Sequence, residues 1–188
     1  MPGMEPTAVI LVEGVSDRRA LEALAERRGR DLTAEGVSVM PIGGAHAIDR
    51  VLHELQASRS AVRLAGLCDA GEEEPFRRGL ERAGLGIDLS RGDMERLGFY
   101  VCTADLEDEL IRALGVVAVE EVVDAEGELG SFRTLQKQPE WRGRPAQEQL
   151  RRFMGSGGTR KIRYARLLVE ALDLSSVPRP LDGVLAHV

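Results

Sequence analysis

Four short apolar runs recur along the first part of the chain, and each is followed by a polar turn and a longer amphipathic segment. The first run, from Ala8 to Val12, is continuously apolar and rich in branched residues, which is typical of a strand covered on both faces. Similar runs begin at Val37, Val62 and Gly98. Strands that alternate with helices through short links predict an α/β fold with a mostly parallel four-stranded sheet flanked by helices.

The segments between these strands carry apolar residues at helical spacing. One such stripe follows the first strand and another follows the second, at Ala20, Leu21, Leu24, Ala25, Ile48, Val51, Leu52 and Leu55. A Gly43-Gly44 pair precedes the second helix. This pair predicts either a tight turn or a cradle of free N–H groups for a phosphate.

Beyond residue 115 the pattern changes. Residues 116–123 fit either a short strand or the end of a helix, whereas residues 160–172 have helical apolar spacing. The proline-rich end, residues 177–188, is expected to be loosely held. We therefore predict an α/β core over residues 1–115 and a basic helical extension over residues 116–188 that packs on this core.

Acidic residues follow three of the predicted strands. Glu13 ends the first strand, Asp69 ends the third, and the fourth runs into an acidic cluster from Asp105 to Glu109. Parallel strands place these ends at one edge of the sheet, and adjacent strands are about 4.8 Å apart. Repulsion between such carboxylates must be relieved by a cation, a base or protonation. Asp17, four residues after Glu13, either faces the same crevice or is a helix-start charge beside a solvated strand end.

The charge of the chain is unevenly distributed. The net charge is −6, yet the segment from Phe132 to Arg166 carries ten Lys and Arg against two acids. Its local charge of +8, subtracted from −6, leaves −14 for the rest of the chain. Such segregation suits an acidic cation-binding core beside a segment that contacts phosphates, although a solvated basic helix surface has the same composition.

The overall composition is that of an ordinary globular protein, with 43% hydrophobic and 30% charged residues. No apolar run approaches the roughly 18 residues of a membrane span, and the first residues do not form a signal peptide, so we expect a cytoplasmic protein without a membrane partner. Cys68 and Cys102 lack the spacing of metal ligands and are expected to be buried thiols.

These motifs resemble a known family. The stretch VEGVSD after the first strand, the aspartate that ends the third, and TADLEDEL after the fourth are similar to motifs of the Toprim domain, the catalytic module of topoisomerases, primases and certain nucleases. The Gly-Gly pair and the late segment GSGGTRKIRYA resemble the Toprim part of the overcoming-lysogenization-defect (OLD) nucleases. The resemblance covers most of residues 9–172 and implies a Rossmann-like Toprim fold.

The resemblance also implies phosphodiester chemistry that depends on Mg²⁺ or Mn²⁺. Glu13 would be a metal ligand or general base, and Asp17 would help to hold a second metal. Asp69 would be the central ligand, and Asp105 and Glu107 would complete the site. Two cations about 4 Å apart can activate a water and stabilise the leaving oxygen, which agrees with this assignment.

A lysine near such a site would neutralise charge on the phosphate in the transition state. The resemblance gives this role to Lys161. The alternative interpretation is that Lys161 is simply an exposed basic residue of a helix. The residues of the basic segment that we expect to contact nucleic acid are Arg151, Arg152, Arg160, Lys161 and Arg163.

The chain departs from the family pattern in two respects. Asp69-Ala70-Gly71 has glycine where the family's second aspartate stands, so either Glu72 or Glu73 substitutes for it or one metal is held weakly. Full-length OLD nucleases carry an ABC-type ATPase on the same chain, and this chain has no GxxxxGK[ST] motif. A separate ATPase is therefore an expected partner.

The leading hypothesis is a metal-dependent nuclease, or a related phosphoryl-transfer enzyme, that acts on nucleic acid, with DNA favoured over RNA. The alternative is a non-catalytic Toprim module that binds nucleic acid or a partner ATPase. A third hypothesis, a small-molecule phosphohydrolase or receiver-like protein, fits less well because acids from three junctions and a remote basic segment suit a polyanionic backbone better.

Overall fold

The fold is known from a computed structural model that describes residues 6–57 and 62–188. These residues form one sheet of four strands, all parallel, in the order β2-β1-β3-β4. The strands are β1 Ala8–Val12, β2 Val37–Pro41, β3 Arg63–Cys68 and β4 Phe99–Val101. The predicted parallel α/β fold is therefore confirmed.

Helices cover both faces of the sheet. Those of the first part are α1 Val15–Arg27, α2 Ile48–Ala57, α3 Glu73–Arg82, α4 Arg91–Arg96 and α5 Leu106–Leu114. Those of the second part are α6 Val116–Ala125, α7 Leu129–Lys137, α8 Ala146–Gly155, α9 Gly158–Ala171 and α10 Arg179–His187. None of the helices in the described ranges is long and apolar enough to cross a bilayer.

The two faces of the sheet belong to two separate apolar clusters. On β1, Ile10 and Val12 pack with α1, α5 and the C-terminal helices, whereas Val9 and Leu11 pack with α2 and α3. Side chains alternate between the faces of a strand, so a continuous apolar run is what two covered faces require. The sheet is consequently the middle of three layers.

The cysteines follow the same alternation. Cys68 is buried in the cluster of α2 and α3, and Cys102 is buried in the other cluster. Both are free thiols, as expected. Burial raises the pKa of each thiol, so both remain protonated and apolar in character.

Helix α9 lies beside α1 and runs in the same direction. At the C-terminal ends, Arg27 of α1 donates hydrogen bonds to the carbonyls of Val169 and Leu172, at 2.8 and 2.5 Å. At the other end, the first turn of α9 lies near the first turn of α1, where the charge of Lys161 acts on Asp17. The two helices therefore both point their N-termini at the carboxyl edge of the sheet.

The C-terminal helices share one core with the sheet. Phe132, Phe153 and Tyr164 are fully or almost fully buried in the same cluster as the β1 side chains Ile10 and Val12. The division at residue 115 therefore marks a change of sequence pattern, while the apolar core continues across it. Residues 116–123, for which the sequence left strand and helix open, belong to α6.

The prediction that residues 177–188 are loosely held is wrong. Helix α10 packs on β3 and β4, and Leu181, Val184 and Leu185 are fully buried. The helix lies so close to β4 that a Cβ on Gly183 would be 2.3 Å from the ring of Tyr100. The prolines mark the start of this helix, where the missing N–H of proline costs nothing, instead of a frayed tail.

Truncation of Leu185 to alanine should destabilise the protein through α10. Because this side chain is fully buried, we expect Leu185→Ala to lower the free energy of unfolding by about 2–5 kcal/mol. Ile87 is 89% exposed, so Ile87→Ala should change it by no more than about 0.5 kcal/mol. Urea unfolding followed by circular dichroism measures both values. Equal effects would contradict the packing of α10.

Candidate active site

The ends of β1 and β3 define the centre of the acidic edge. These strands are paired directly, with Val12 opposite Leu67, so Glu13 and Asp69 leave adjacent strands in the same direction. The junctions after β3 and β4 are tied by a hydrogen bond of 2.9 Å from the Ala70 N–H to the Ala104 carbonyl. The sheet and this bond therefore hold three acidic junctions at one edge, as the sequence predicted.

The Gly43-Gly44 pair secures the end of β1. Both glycines have positive φ, 76° and 112°, and their N–H groups donate to the Glu13 carbonyl at 3.1 and 3.3 Å. These N–H groups are thus engaged by the protein backbone. Of the two alternatives for this pair, the structure shows the tight turn.

Two carboxylates of the edge are almost fully buried. Asp17 is 7% exposed, and its Oδ2 accepts a hydrogen bond of 2.8 Å from the Gly14 N–H, which fixes the start of α1. Glu107 is 3% exposed and lies in the first turn of α5. Burial of a carboxylate without a compensating cation is unfavourable, so these residues are costly to keep unless a charge partner is present.

Lys161 is the cationic partner that α9 supplies. Its Nζ lies 3.5 Å from Glu107 Oε2. Desolvation opposes the charge of this half-buried amine, but Glu107, Asp17 and Asp69 outweigh it and raise the pKa of Lys161 above its usual value. The lysine is therefore a fixed positive charge at the acidic edge, not an exposed helix residue.

The carboxylates of the edge perturb one another. Desolvation, followed by repulsion from Asp17, Glu13 and Asp105, raises the pKa of Asp69 to about 7. Desolvation is also the main reason that the pKa of Glu107 is raised to about 7. The structure thus brings these five predicted acids into one electrostatically coupled group.

The pKa of Glu13 is raised first by desolvation and then by Asp17 and Glu72. Glu72 therefore belongs to the coupled group, whereas Glu73 is paired with Arg91. Of the two residues that could replace the missing second aspartate, Glu72 is the one whose charge acts on Glu13. A sequence pattern could not separate them, because the choice depends on where Arg91 lies.

The donor chemistry of the edge fits a divalent cation. Among the described residues, Glu13 Oε2 and Glu107 Oε1 are buried oxygens without a hydrogen-bond partner. Carboxylate oxygens are the ligands that Mg²⁺ and Mn²⁺ prefer. Within residues 6–57 and 62–188, however, no three His, Cys, Asp or Glu side chains are gathered closely enough to hold a metal ion. The predicted ligands therefore share an edge without forming a coordination sphere.

The five basic residues predicted to contact nucleic acid do not form one surface. Lys161 faces the acidic edge, and Arg151 pairs with Asp105 at 2.5 Å. Arg152 is exposed and lies over the ring of Trp141. The remaining two, Arg160 and Arg163, both pair with Glu128.

Glu128 is a structural residue that the sequence did not reveal. Its carboxylate accepts hydrogen bonds from Arg160, Arg163 and the hydroxyl of Tyr164, at 2.9, 2.5 and 2.7 Å. Arg160 also lies over the ring of Phe153, 4.4 Å from its centroid. Arg160 and Arg163 are therefore paired with Glu128 in this structure, and their predicted phosphate contacts stay a prediction.

The raised pKa of Asp69, caused by burial and then by repulsion from neighbouring acids, predicts an unusual pH dependence of stability. In metal-free protein with EDTA, Asp69 keeps its proton up to a pKa of about 7 in the folded state, whereas the unfolded chain loses it near pH 4. The folded state thus binds more protons between these values, and stability falls as pH rises through them.

The variant Asp69→Asn removes this titration. At about pH 8 we expect it to raise the free energy of unfolding by roughly 1–2 kcal/mol, and at about pH 4 to change it little. Asp124→Asn, at an exposed position of α6, is the matched control and should show no such pH-dependent gain. Urea titrations across this range measure the difference. A variant less stable than the parent at both ends would contradict the raised pKa of Asp69.

Comparison with known proteins agrees with this architecture. The family profile described as "Overcoming lysogenization defect protein-like, TOPRIM domain" matches residues 7–69. No curated protein matches the sequence. The C-terminal region of the OLD protein of Xanthomonas campestris pv. campestris superposes with a TM-score of 0.73 and 22% identity, over 97% of this chain and 92% of that one.

The corresponding region of the Burkholderia pseudomallei OLD protein gives a TM-score of 0.69 and 20% identity, over 98% of this chain and 97% of that one. At this identity a structural match establishes the fold. The sequence match covers β1, β2 and β3, the segment that carries Glu13, Asp17 and Asp69. Residues 7–69 are therefore similar to the OLD-like Toprim domain, and the chain as a whole has the fold of the C-terminal region of OLD proteins.

Proposed function

We propose that this protein is a metal-dependent nuclease, or a related enzyme that transfers phosphodiester groups in nucleic acid. The observation that carries the proposal is the coupled group of buried carboxylates with Lys161 at the carboxyl edge of the sheet. Residues with perturbed pKa values cluster at functional sites, because the protein pays for their burial elsewhere. The Toprim match supports the same chemistry.

Glu13, Asp17, Asp69, Asp105 and Glu107, with Glu72, would hold Mg²⁺ or Mn²⁺. The bound cations would supply Lewis-acid activation of water and of the phosphate.

Side chains of the protein would supply proton transfer and charge stabilisation. Glu13, with a raised pKa and one buried unpartnered oxygen, would accept a proton from the attacking water. Lys161 would balance the charge that develops on the phosphate.

Nucleic acid is the proposed substrate, and DNA is favoured over RNA. Exposed cations of the helical layer, among them Lys137, Arg142, Arg144 and Arg152, would contact its phosphates. A separate ABC-type ATPase is proposed as a partner by analogy with full-length OLD nucleases.

A second candidate function is a non-catalytic module that binds nucleic acid or this ATPase. Gly71, at the position of the family's second aspartate, and the incomplete gathering of ligands favour it.

Cleavage of supercoiled plasmid with Mn²⁺, with Mg²⁺ and with EDTA tests the proposal. We expect nicking or cleavage with either metal and none with EDTA. Glu13→Gln, Asp69→Asn and Lys161→Met should each lower the rate by at least about 100-fold, because each removes a group that acts on the transition state. Each variant must keep its circular dichroism spectrum.

Two controls sharpen this comparison. Asp124→Asn removes an acid outside the edge and should cleave at the parental rate. Lys137→Met removes the same charge as Lys161→Met from the basic segment, so its effect should be confined to nucleic-acid affinity. A folded protein that binds plasmid but leaves it intact with both metals would favour the non-catalytic module.

The arginines of the helical layer should separate into two kinds. Arg152→Gln removes an exposed cation, so we expect weaker DNA binding and a salt dependence reduced by about one unit in its logarithmic slope, with unchanged stability. Arg160→Gln removes partners of Glu128 and Phe153, so it should lower the free energy of unfolding by about 1–2 kcal/mol. Fluorescence anisotropy and urea unfolding measure the two effects. The reverse pattern would show that Arg160 contacts DNA.

A further inference from the structure

Both oxygens of the Asp105 carboxylate are occupied by protein groups. Oδ1 accepts a hydrogen bond of 2.8 Å from the Asp108 N–H, which caps α5. Oδ2 accepts two from the guanidinium of Arg151, at 2.6 Å from Nε and 2.5 Å from the second nitrogen. In contrast, Glu13 and Glu107 each keep one buried oxygen without a partner.

Arg151 is held in place by its helix. One turn earlier on α8, Gln147 donates a hydrogen bond of 2.8 Å to Asp108 Oδ1. These two contacts, four residues apart on one face of α8, join it to the first turn of α5. The Arg151 side chain is 46% exposed, whereas the Asp105 side chain is 15% exposed. Arg151 therefore has one side on the acidic edge and the other in solvent.

We propose that Arg151 is a positioning residue that couples metal binding to substrate binding. While its guanidinium holds Asp105, the acidic edge lacks one carboxylate oxygen for a cation. A phosphate of the nucleic acid competes for the same guanidinium, and its capture frees Asp105 to join the metal. This inference rests on the proposed function, because it needs nucleic acid as the ligand.

The exchange follows from the chemistry of the arginine side chain. A guanidinium binds carboxylate and phosphate with the same planar fork, so the two anions are direct competitors for it. The acidic edge around Asp105 repels a phosphate until cations neutralise it, which makes the two ligands dependent on each other. Coupling between binding sites is reciprocal, so nucleic acid must raise metal affinity by the same factor by which metal raises nucleic-acid affinity.

The test measures Mn²⁺ binding to the protein by electron paramagnetic resonance, without and with a short DNA duplex. The samples are kept cold, and a blank that contains only DNA and Mn²⁺ corrects for metal bound to the duplex itself. For the parent protein we expect the duplex to tighten Mn²⁺ binding by about tenfold. Arg151→Gln should bind Mn²⁺ more tightly than the parent without DNA, by about fivefold or more, and should lose the effect of the duplex. Arg151→Lys should lie between the two, since it keeps the charge without the fork.

Arg50→Gln is the matched control, because it also breaks an ion pair with a carboxylate, Glu54, on α2. It should leave both measurements unchanged. If Arg151→Gln binds Mn²⁺ no more tightly than the parent, or more weakly, Arg151 is a structural residue and the proposal is overturned. The same holds if DNA binds the parent protein without changing its Mn²⁺ affinity. A parent protein that binds no DNA under any condition refutes the proposed function, while the DNA-free comparison still decides whether Arg151 competes for Asp105.

Discussion

Repulsion between carboxylates that a parallel sheet forces together is the constraint on which the rest of this structure depends. Hydrogen bonding fixes the spacing of β1 and β3, so Glu13 and Asp69 cannot separate without loss of the sheet. Burial of Asp17 and Glu107 increases the cost. Desolvation, joined by repulsion from neighbouring carboxylates, raises the pKa of Asp69 and that of Glu107 to about 7.

The C-terminal helices supply the positive charge that offsets part of the energetic cost of these carboxylates. Helix α9 runs beside α1 and brings Lys161 to Glu107, while α8 brings Arg151 to Asp105. Two arginines of the same segment, Arg160 and Arg163, instead hold Glu128 and thereby fix the helical layer. The basic segment therefore has two roles. Lys161 and Arg151 pair with acids of the site, whereas Arg160 and Arg163 stabilise the helical layer that carries it.

A site built in this way is suited to ligands that arrive with opposite charges. In the proposed function the acids would attract divalent cations, and the exposed cations of the helical layer would attract phosphates. Because Arg151 contacts an acid of the edge from a solvent-exposed position, the two kinds of ligand would meet at this one side chain. Because glycine stands at position 71, where the family has its second aspartate, a cation at this edge would depend more strongly on the remaining carboxylate oxygens.

The sequence by itself determined the parallel sheet, the acids at its carboxyl edge and the buried cysteines, because strand periodicity and strand-end position are local properties. It failed for α10, whose burial depends on the free faces of β3 and β4, and for Glu128, whose partners lie more than thirty residues away. It also left Glu72 and Glu73 equivalent until Arg91 was placed. Only the tertiary structure decided which basic residues face the acids, because ion pairs between distant segments depend on helix packing and not on spacing along the chain.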